Sequence, residues 1–431
     1  MSTVINAAPS QTPGIASAVA GAEAWLETVR DEDGYYGPVV GFRNTSMAYC
    51  GPGFDWRYEA LLDAAIAMHR ATRDGAYLDR IEQDLSVLAA AQLENGAFRN
   101  SYFEFNPFEG GMPHEPAALA AACRALRYLK KAGRGVPSGI ARSIEFYIER
   151  RLLKELWNKL LQTFNDWETS EFTDYAPCSV AAAMELLIGY AACAGTWEKV
   201  ERYVSGAAAS LVRAQQSAGV LDGAMPLTHR NRNAANVYLA ARCLPALVEA
   251  HKRLDDASLQ QAADKLNRFL ERNAALDGPA PRLVFASRPA SFLPFFPGAF
   301  AGTLLCRLRA GFMTQADVAP HVARALDYAL PSGAFRTAEG FGALRTPKAP
   351  PDWRDIMPVC GWTAKLYALL AELHPGQRET HAAKAVRLPV RVRRRQGVFI
   401  EDDATLRIED AQGKPLYHWV KKQRWPQECA L

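Results

Sequence analysis

The 431-residue chain has no stretch approaching the roughly 20 consecutive apolar residues that cross a bilayer, so no transmembrane segment is expected. Its N-terminus lacks a basic segment ahead of the weakly apolar Ile15–Ala22, so no secretory signal is read and the cytoplasm is the expected compartment. Charge of one sign is also scarce. The net charge of +4 is small for this length and gives no global attraction to nucleic acid or to anionic membrane. The one dense basic run, Arg387, Arg391, Arg393, Arg394 and Arg395, alternates with Leu388, Val390 and Val392 and reads as a strand with a solvated face. Cysteines number eight, and Cys123, Cys193, Cys243 and Cys306 fall inside Ala/Leu-rich helices, where a free thiol acts as a small hydrophobe. A disulfide framework is not indicated.

What the chain does have is a recurring turn phrase, each copy following an amphipathic helix: Asp33-Gly34-Tyr35, Asn95-Gly96-Ala97-Phe98, Asp222-Gly223-Ala224-Met225, Asp277-Gly278-Pro279 and Ser332-Gly333-Ala334-Phe335. The glycines are 62, 127, 55 and 55 positions apart, and the long gap is two repeats with one phrase lost, which implies six units. Each unit carries a second, more apolar helix: Tyr58–Arg70, Glu115–Lys130, Cys178–Ala194, Ala234–Lys252, Gly298–Arg309 and Val359–Leu373. The first helices are charged on one face, as in Asp79, Arg80, Glu82 and Asp84 beside Leu78, Ile81, Leu85 and Leu88, and suit an outer layer. The second helices suit an inner one. Six hairpins with apolar inner helices favour closure into a ring over an open solenoid. Hydrophobic residues at 49% and charged residues at 22% fit one compact body with a sizeable core. Residues 1–14 read as a disordered tail, 15–376 as the helical ring, and 385–431, with its alternating Val386, Leu388, Val390 and Val392, as an antiparallel β appendage that closes the chain.

In a ring, the loops entering the inner helices share one rim, and acids, histidines and aromatics are concentrated there. Asp55, His114, His229 and Asp355 are the catalytic candidates, as titratable groups able to flank one bond. Asp55, Asp174 and Asp355 also stand where helix N-caps or first-turn acids are expected for purely local reasons. Arg57, Glu115, Arg230, Arg232 and Asn233 supply charge and hydrogen bonds for a carboxylate or hydroxyls. Trp56, Tyr175, Trp353 and Trp362 offer flat rings, either as core filler or for stacking on a sugar or an isoprenoid tail.

The all-α architecture resembles the (α/α)6 toroids, a superfamily that includes six-hairpin glycosidases, uronate-acting lyases, sugar epimerases and the terpenoid cyclase and protein prenyltransferase barrels. Gln92 to Phe98 is also similar to the glutamine and aromatic repeat of squalene cyclases, with Phe98 where that repeat has tryptophan. The Asp-x-Asp-Asp signature of those cyclases is absent from the ring, Glu401-Asp402-Asp403 lies in the appendage, and no double Asp-rich motif for magnesium and diphosphate occurs. In the prenyltransferase barrels and the lanthionine cyclases, zinc sits on Cys, His and Asp at such helix starts. Here Cys50, Cys178 and Cys360, with His114 and His229, match neither spacing, so no cofactor is expected and zinc is the alternative. The resemblance implies an enzyme on a small-molecule or oligosaccharide substrate, of hydrolase, lyase or epimerase type. An isoprenoid-handling barrel and a non-catalytic glycan or peptide binder are the alternatives, and the oligomeric state is left open.

Overall fold

The computed structural model describes residues 14–40, 47–50, 53–99, 115–166, 175–274, 281–292, 294–341, 350–377, 379–381, 383–392 and 395–422. Helices follow in pairs: α1 (Ile15–Thr28) and α2 (Trp56–Thr72), α3 (Ala76–Ala90) and α4 (Glu115–Lys131), α5 (Ser138–Phe146) and α6 (Pro177–Ala194), and α7 (Trp197–Ala214) with the broken pair α8 (Val237–Ala241) and α9 (Cys243–Leu254). Then come α10 (Ala257–Asn273) and α11 (Pro297–Arg309), and finally α12 (Gln315–Leu326), the short α13 (Trp353–Ile356) and α14 (Cys360–Glu372). The second helix of each pair packs on the second helix of the next, and α14 returns to pack on α2, so the inner layer is a closed ring of six.

Composition explains the layering. On α10 the buried residues Leu259, Ala262, Ala263, Leu266, Phe269 and Leu270 form one stripe, leaving the rest to solvent. On α4 almost every residue from Glu115 to Leu126 is buried, and six alanines among them let neighbouring helices approach closely. The helix α6 is long and apolar enough to cross a membrane by length and composition alone, yet 67% of it is buried, as an inner position requires.

The turn phrase closes in the same way in three of its described copies. Leu93 and Leu330 each donate a backbone hydrogen bond to the carbonyl of the residue four positions on (Ala97 and Ala334, 2.7 and 2.8 Å), Gln216 donates to that of Ala224, eight positions on (2.9 Å), and in each copy the glycine N–H returns to the carbonyl of the donating residue. Gly96, Gly223 and Gly333 sit at φ 88°, 83° and 92°, a region that favours glycine. The glutamine that opens the phrase binds it to the next outer helix: Gln92 Nε2 donates to the carbonyls of Gly96 (3.0 Å) and Ser143 on α5 (2.9 Å). Gln215 Nε2 does the same to Gly223 (3.0 Å) and Ala262 on α10 (2.8 Å). The repeat is therefore a seam between successive outer helices. Asp277-Gly278-Pro279 lies outside the described residues.

The missing copy has a structural replacement. After α5 the helix widens into a π-helix, Tyr147–Leu156, and ends in a small hairpin pairing Trp157–Asn158 with Thr163–Phe164. Gln162, at φ 52°, stands in the turn, and the glycine of this seam is on the partner instead. A Cβ on Gly206 of α7 would lie 3.0 Å from both the Gln162 carbonyl and the Trp157 ring.

The strands Val386–Val392, Arg395–Glu401, Thr405–Asp410 and Pro415–Val420 form a four-stranded antiparallel meander. Its anchor to the ring is Glu401, whose carboxylate is buried and accepts from Trp25 Nε1 on α1 (2.6 Å) and Ser332 Oγ (2.8 Å) while pairing with Lys421 Nζ (2.9 Å). Replacing Glu401 by alanine leaves the buried Lys421 ammonium without its counter-charge, with Thr28 Oγ1 still accepting from it (3.1 Å), and takes the acceptor from Trp25 and Ser332. The expected loss is about 3 kcal/mol, together with earlier proteolytic release of the C-terminal segment. Urea unfolding and limited proteolysis of Glu401→Ala check this, and a wild-type digestion pattern would count against the anchor.

Candidate active site

At the rim the chain places its sequence-predicted residues in four settings. Asp55 caps α2 and is locked to Arg57: its carboxylate accepts from Arg57 N (2.9 Å), Nε (2.9 Å) and Nη2 (3.1 Å), while Nη1 reaches the Tyr35 carbonyl (3.0 Å). Both side chains are buried, which makes this pair a brace at the helix start. Glu115 is equally buried and accepts from the backbone N–H of Phe98 (2.7 Å), tying a turn phrase to an inner-helix start. The Tyr175 and His229 rings lie parallel, 4.7 Å apart and 3° from coplanar orientation, and His229 N donates to the Tyr175 carbonyl. Arg230, Arg232 and Asn233 follow on an exposed loop. His114 lies outside the described residues.

The aromatic residues divide. Trp56 and Trp362 meet at 4.5 Å, and Trp362 touches Tyr238 (5.9 Å) and Phe296 (5.8 Å), which in turn meets Phe341 (5.6 Å). Three inner-helix glycines make room for these rings. A Cβ would come within 2.5 Å of Trp56 at Gly361, 2.8 Å of Trp362 at Gly298, and 2.4 Å of Tyr238 at Gly302. The cluster fills its own space. The cavity between Tyr238, Phe296 and Arg282 holds about 30 Å³, room for a water or two and too little for an isoprenoid chain. Trp353, by contrast, stacks on Tyr417 (5.0 Å) and Trp419 (6.0 Å) of the appendage. Its partners come from the sheet and not from the Trp56 cluster.

Asp355 joins this aromatic cap from α13. Its Oδ1 accepts from the Phe341 N–H (2.9 Å), and its carbonyl accepts from Ala338 N, so the acid is held against a member of the cluster. Burial pushes its carboxyl up to about 6, with the neighbouring Asp352 adding to the effect and Arg336 opposing it. Asp352 itself caps α13 and is paired with Arg354 (2.8 Å). Asp355 is thus the rim carboxyl whose protonated and ionised forms are both available near neutral pH.

Of the cysteines weighed as metal ligands, Cys360 is buried, Cys178 is half-buried with its thiol pushed up to about 11 by burial and by Asp166, and the Cys50 side chain is not among the described ones. Among the described residues no three His, Cys, Asp or Glu side chains converge as a metal site.

One turn deeper than the aromatic cap lies a constellation that the rim reading missed. Every inner helix contributes charge to it: Glu59 and Asp63 from α2, Arg124 from α4, Glu185 from α6, Arg242 from the α8–α9 junction, Arg309 from α11 and Lys365 from α14. Glu59 bonds Arg242 (2.6 Å) and Lys365 (2.5 Å) and lies 3.6 Å from Arg309. Asp63 takes Arg124 (2.8 Å) and Arg309 (2.5 Å), and Glu185 stands 3.8 Å from Arg309. Burial alone would raise Glu59, but Arg242, Lys365 and Arg309 overcome it and hold the carboxyl well below the usual range. Glu185 goes the other way, its burial outweighing the distant arginines. Four cations face three carboxylates, so the axis carries positive charge. It is also wet: accessibility along α2 rises from 3% at the Glu59 side chain to 17% at Asp63 and 51% at Arg70, toward the helix C-termini. The sequence signal was there, in single charged residues interrupting otherwise apolar helices, but only closure of the ring shows that they meet.

No family profile matches the sequence, and no curated protein is similar to it. Solved structures do match. An unsaturated glucuronyl hydrolase specific for heparin superposes with a TM-score of 0.57 at 10% identity, over 83% of this chain and 95% of that one. An unsaturated glucuronyl hydrolase from Bacillus sp. GL1, responsible for the degradation of glycosaminoglycan, gives 0.56 at 13% identity over 84% and 96%. A D-mannose isomerase gives 0.55 at 10% identity over 85% and 99%. This chain is an (α/α)6 toroid. At these identities the likeness speaks for the fold, and the toroid's chemistry has to be argued from its own residues.

Proposed function

We propose that the toroid is a carbohydrate-active enzyme, working at the rim of the ring with Asp355 as its proton-transferring group. The observation that carries this reading is the Asp355 carboxyl itself: buried beside an aromatic cluster, oriented by the Phe341 N–H and raised to about 6. A carboxylic acid that keeps its proton near neutral pH can donate to a leaving oxygen or take a proton from a carbon acid, which hydrolysis and isomerisation of sugars both require. Arg336, which bears electrostatically on Asp355, and Arg282, over the Phe296 ring, supply positive charge at the same rim. The unsaturated glucuronyl hydrolases and the mannose isomerase sharing the fold act on saccharides by name, and they support the class of substrate. Hydrolysis is the form of the reaction we favour.

Asp355→Asn keeps the Phe341 hydrogen bond through the amide oxygen and removes the proton. It is expected to cost at least about 100-fold in kcat with little change in Tm, and His229→Ala is expected to lower activity in the same way. Activity that uses the acid form falls as pH rises through about 6. The first assay is a thermal-shift screen against uronic acids, neutral oligosaccharides, nucleotide sugars and prenyl diphosphates. A shift with prenyl compounds and none with any saccharide would overturn the reading, as would full activity in Asp355→Asn.

A further inference from the structure

Two cysteines unused by the rim chemistry meet across neighbouring inner helices. Cys123 is buried in α4, and Cys193 is exposed at the C-terminal end of α6, with its Sγ 3.5 Å from the Cys123 carbonyl oxygen. The helices approach closely here because Gly189, one turn before Cys193 on α6, has no side chain. A Cβ at that position would lie 3.0 Å from Cys123 Cβ and 3.7 Å from Cys123 Sγ. Arg127 and Lys130 of α4 act electrostatically on Cys193.

This setting separates the two sulfurs chemically. The neighbouring Cys123 and the two cations bring the Cys193 thiol down to about 7, whereas the neighbouring Cys193 and burial push Cys123 well up. Burial pushes Cys178 and Cys306 up to about 11 and raises Cys243 well beyond its ordinary value. Among these described thiols Cys193 is the exposed one with thiolate character, and its sulfur is already in contact with the residue that carries a second thiol.

We propose that Cys193 and Cys123 form a peroxide-responsive dithiol, Cys193 being the attacking and Cys123 the resolving thiol, which closes into a disulfide joining α4 to α6. In the first step the Cys193 thiolate attacks hydrogen peroxide: an S–O bond forms, the O–O bond breaks, and the departing hydroxide takes a proton to become water, leaving a sulfenic acid. In the second, Cys123 sulfur attacks the sulfenic sulfur: the S–S bond forms, the S–O bond breaks, and the hydroxyl leaves as water with the Cys123 proton. Two thiols are oxidised by two electrons and one peroxide is reduced to two waters. A dithiol reductant reverses the change. The bond would pin the C-terminal end of α6 to the middle of α4.

The full chain, treated with equimolar hydrogen peroxide and digested without reductant, should yield a linked peptide pair containing Cys123 and Cys193 that separates on addition of dithiothreitol. In Cys123→Ser, Cys193 should persist as a sulfenic acid trapped by dimedone, and Cys193→Ser should give neither product. Cys193 remaining reduced while another cysteine is modified first would overturn the proposal. So would its passage to sulfinic acid in the wild type with Cys123 still free. The wild-type peptide map decides the matter even if Cys123→Ser, a change in the core, fails to fold.

Discussion

Replacing Glu59 by leucine is expected to lower the stability of the toroid by about 3–5 kcal/mol, the range for removing one partner of a buried ion pair. Glu59 is the point where the ring's charges are balanced. Its carboxylate is 2.6 Å from Arg242, 2.5 Å from Lys365 and 3.6 Å from Arg309, and the side chains of Arg242 and Lys365 are only 10% and 5% accessible. Leucine keeps the volume and leaves two nearly buried cations facing each other across the axis, beside an excess of positive charge. Replacing Lys365 by methionine in the same chain should restore part of the loss, because one unpaired cation is removed, and a double-mutant cycle measures the coupling. Urea unfolding of the three variants gives the numbers. A loss under about 1 kcal/mol would mean that the cations rehydrate through the open end of the axis, and that the network is solvated rather than structural.

The same carboxylate sets an acid limit. Its folded pKa is well below its ordinary value of 4.5, so its contribution is fully present above that value and is lost as pH falls beneath it. Asp355 has the opposite sign. Raised to about 6 when folded, it costs stability as pH climbs from the ordinary aspartate range through 6, because the buried site resists ionisation. The ring's core and its proposed proton donor therefore favour different pH.

Helix pairing was legible in the sequence because it is local. The apolar runs at Glu115–Lys130 and Cys178–Ala194 match α4 and α6 to within a residue, since Ala/Leu-rich stretches bounded by Pro177 and Gly195 leave little choice of register. The turn phrase marked the outer-helix ends for the same reason: φ near +90° is written into the chain as glycine. The third seam was invisible because its glycine, Gly206, sits on the partner helix, where it reads as an ordinary helix residue. The rim shows the same division. That Asp55 caps α2 follows from its position, but that Arg57 folds back on it, so that the pair serves as a brace, depends on the space Gly53 leaves for the guanidinium. Trp353 could not be separated from Trp56 and Trp362 by sequence, since what distinguishes them is a sheet folded from residues thirty to seventy positions later. The axial charges lay furthest from view: they come from every inner helix and acquire a common environment only when α14 meets α2.

That closure can be tested at one atom. Gly333, in the last turn phrase, lies against the first outer helix, and a Cβ there would fall 2.1 Å from the Gly21 carbonyl oxygen and 2.5 Å from its carbon. Neither partner is the movable end of a side chain, so Gly333→Ala must push α12's turn away from α1. The cost has two parts. A left-handed backbone, φ 92°, costs an alanine about 1–2 kcal/mol anywhere. The backbone clash adds to this, and the expected total is about 4 kcal/mol, in the range that marks a specific structural conflict. Gly413→Ala separates the two, for Gly413 has φ 80° in a turn of the appendage and open space where its Cβ would be. It should show the backbone part alone. Because Ser332 Oγ bonds Glu401, the displaced turn should also loosen the appendage, so Gly333→Ala is expected to share the proteolytic signature of Glu401→Ala, and Gly413→Ala is not. Equal Tm values for the two glycine variants would show that the seam between α12 and α1 yields without cost, and that the ring is held by its inner helices alone.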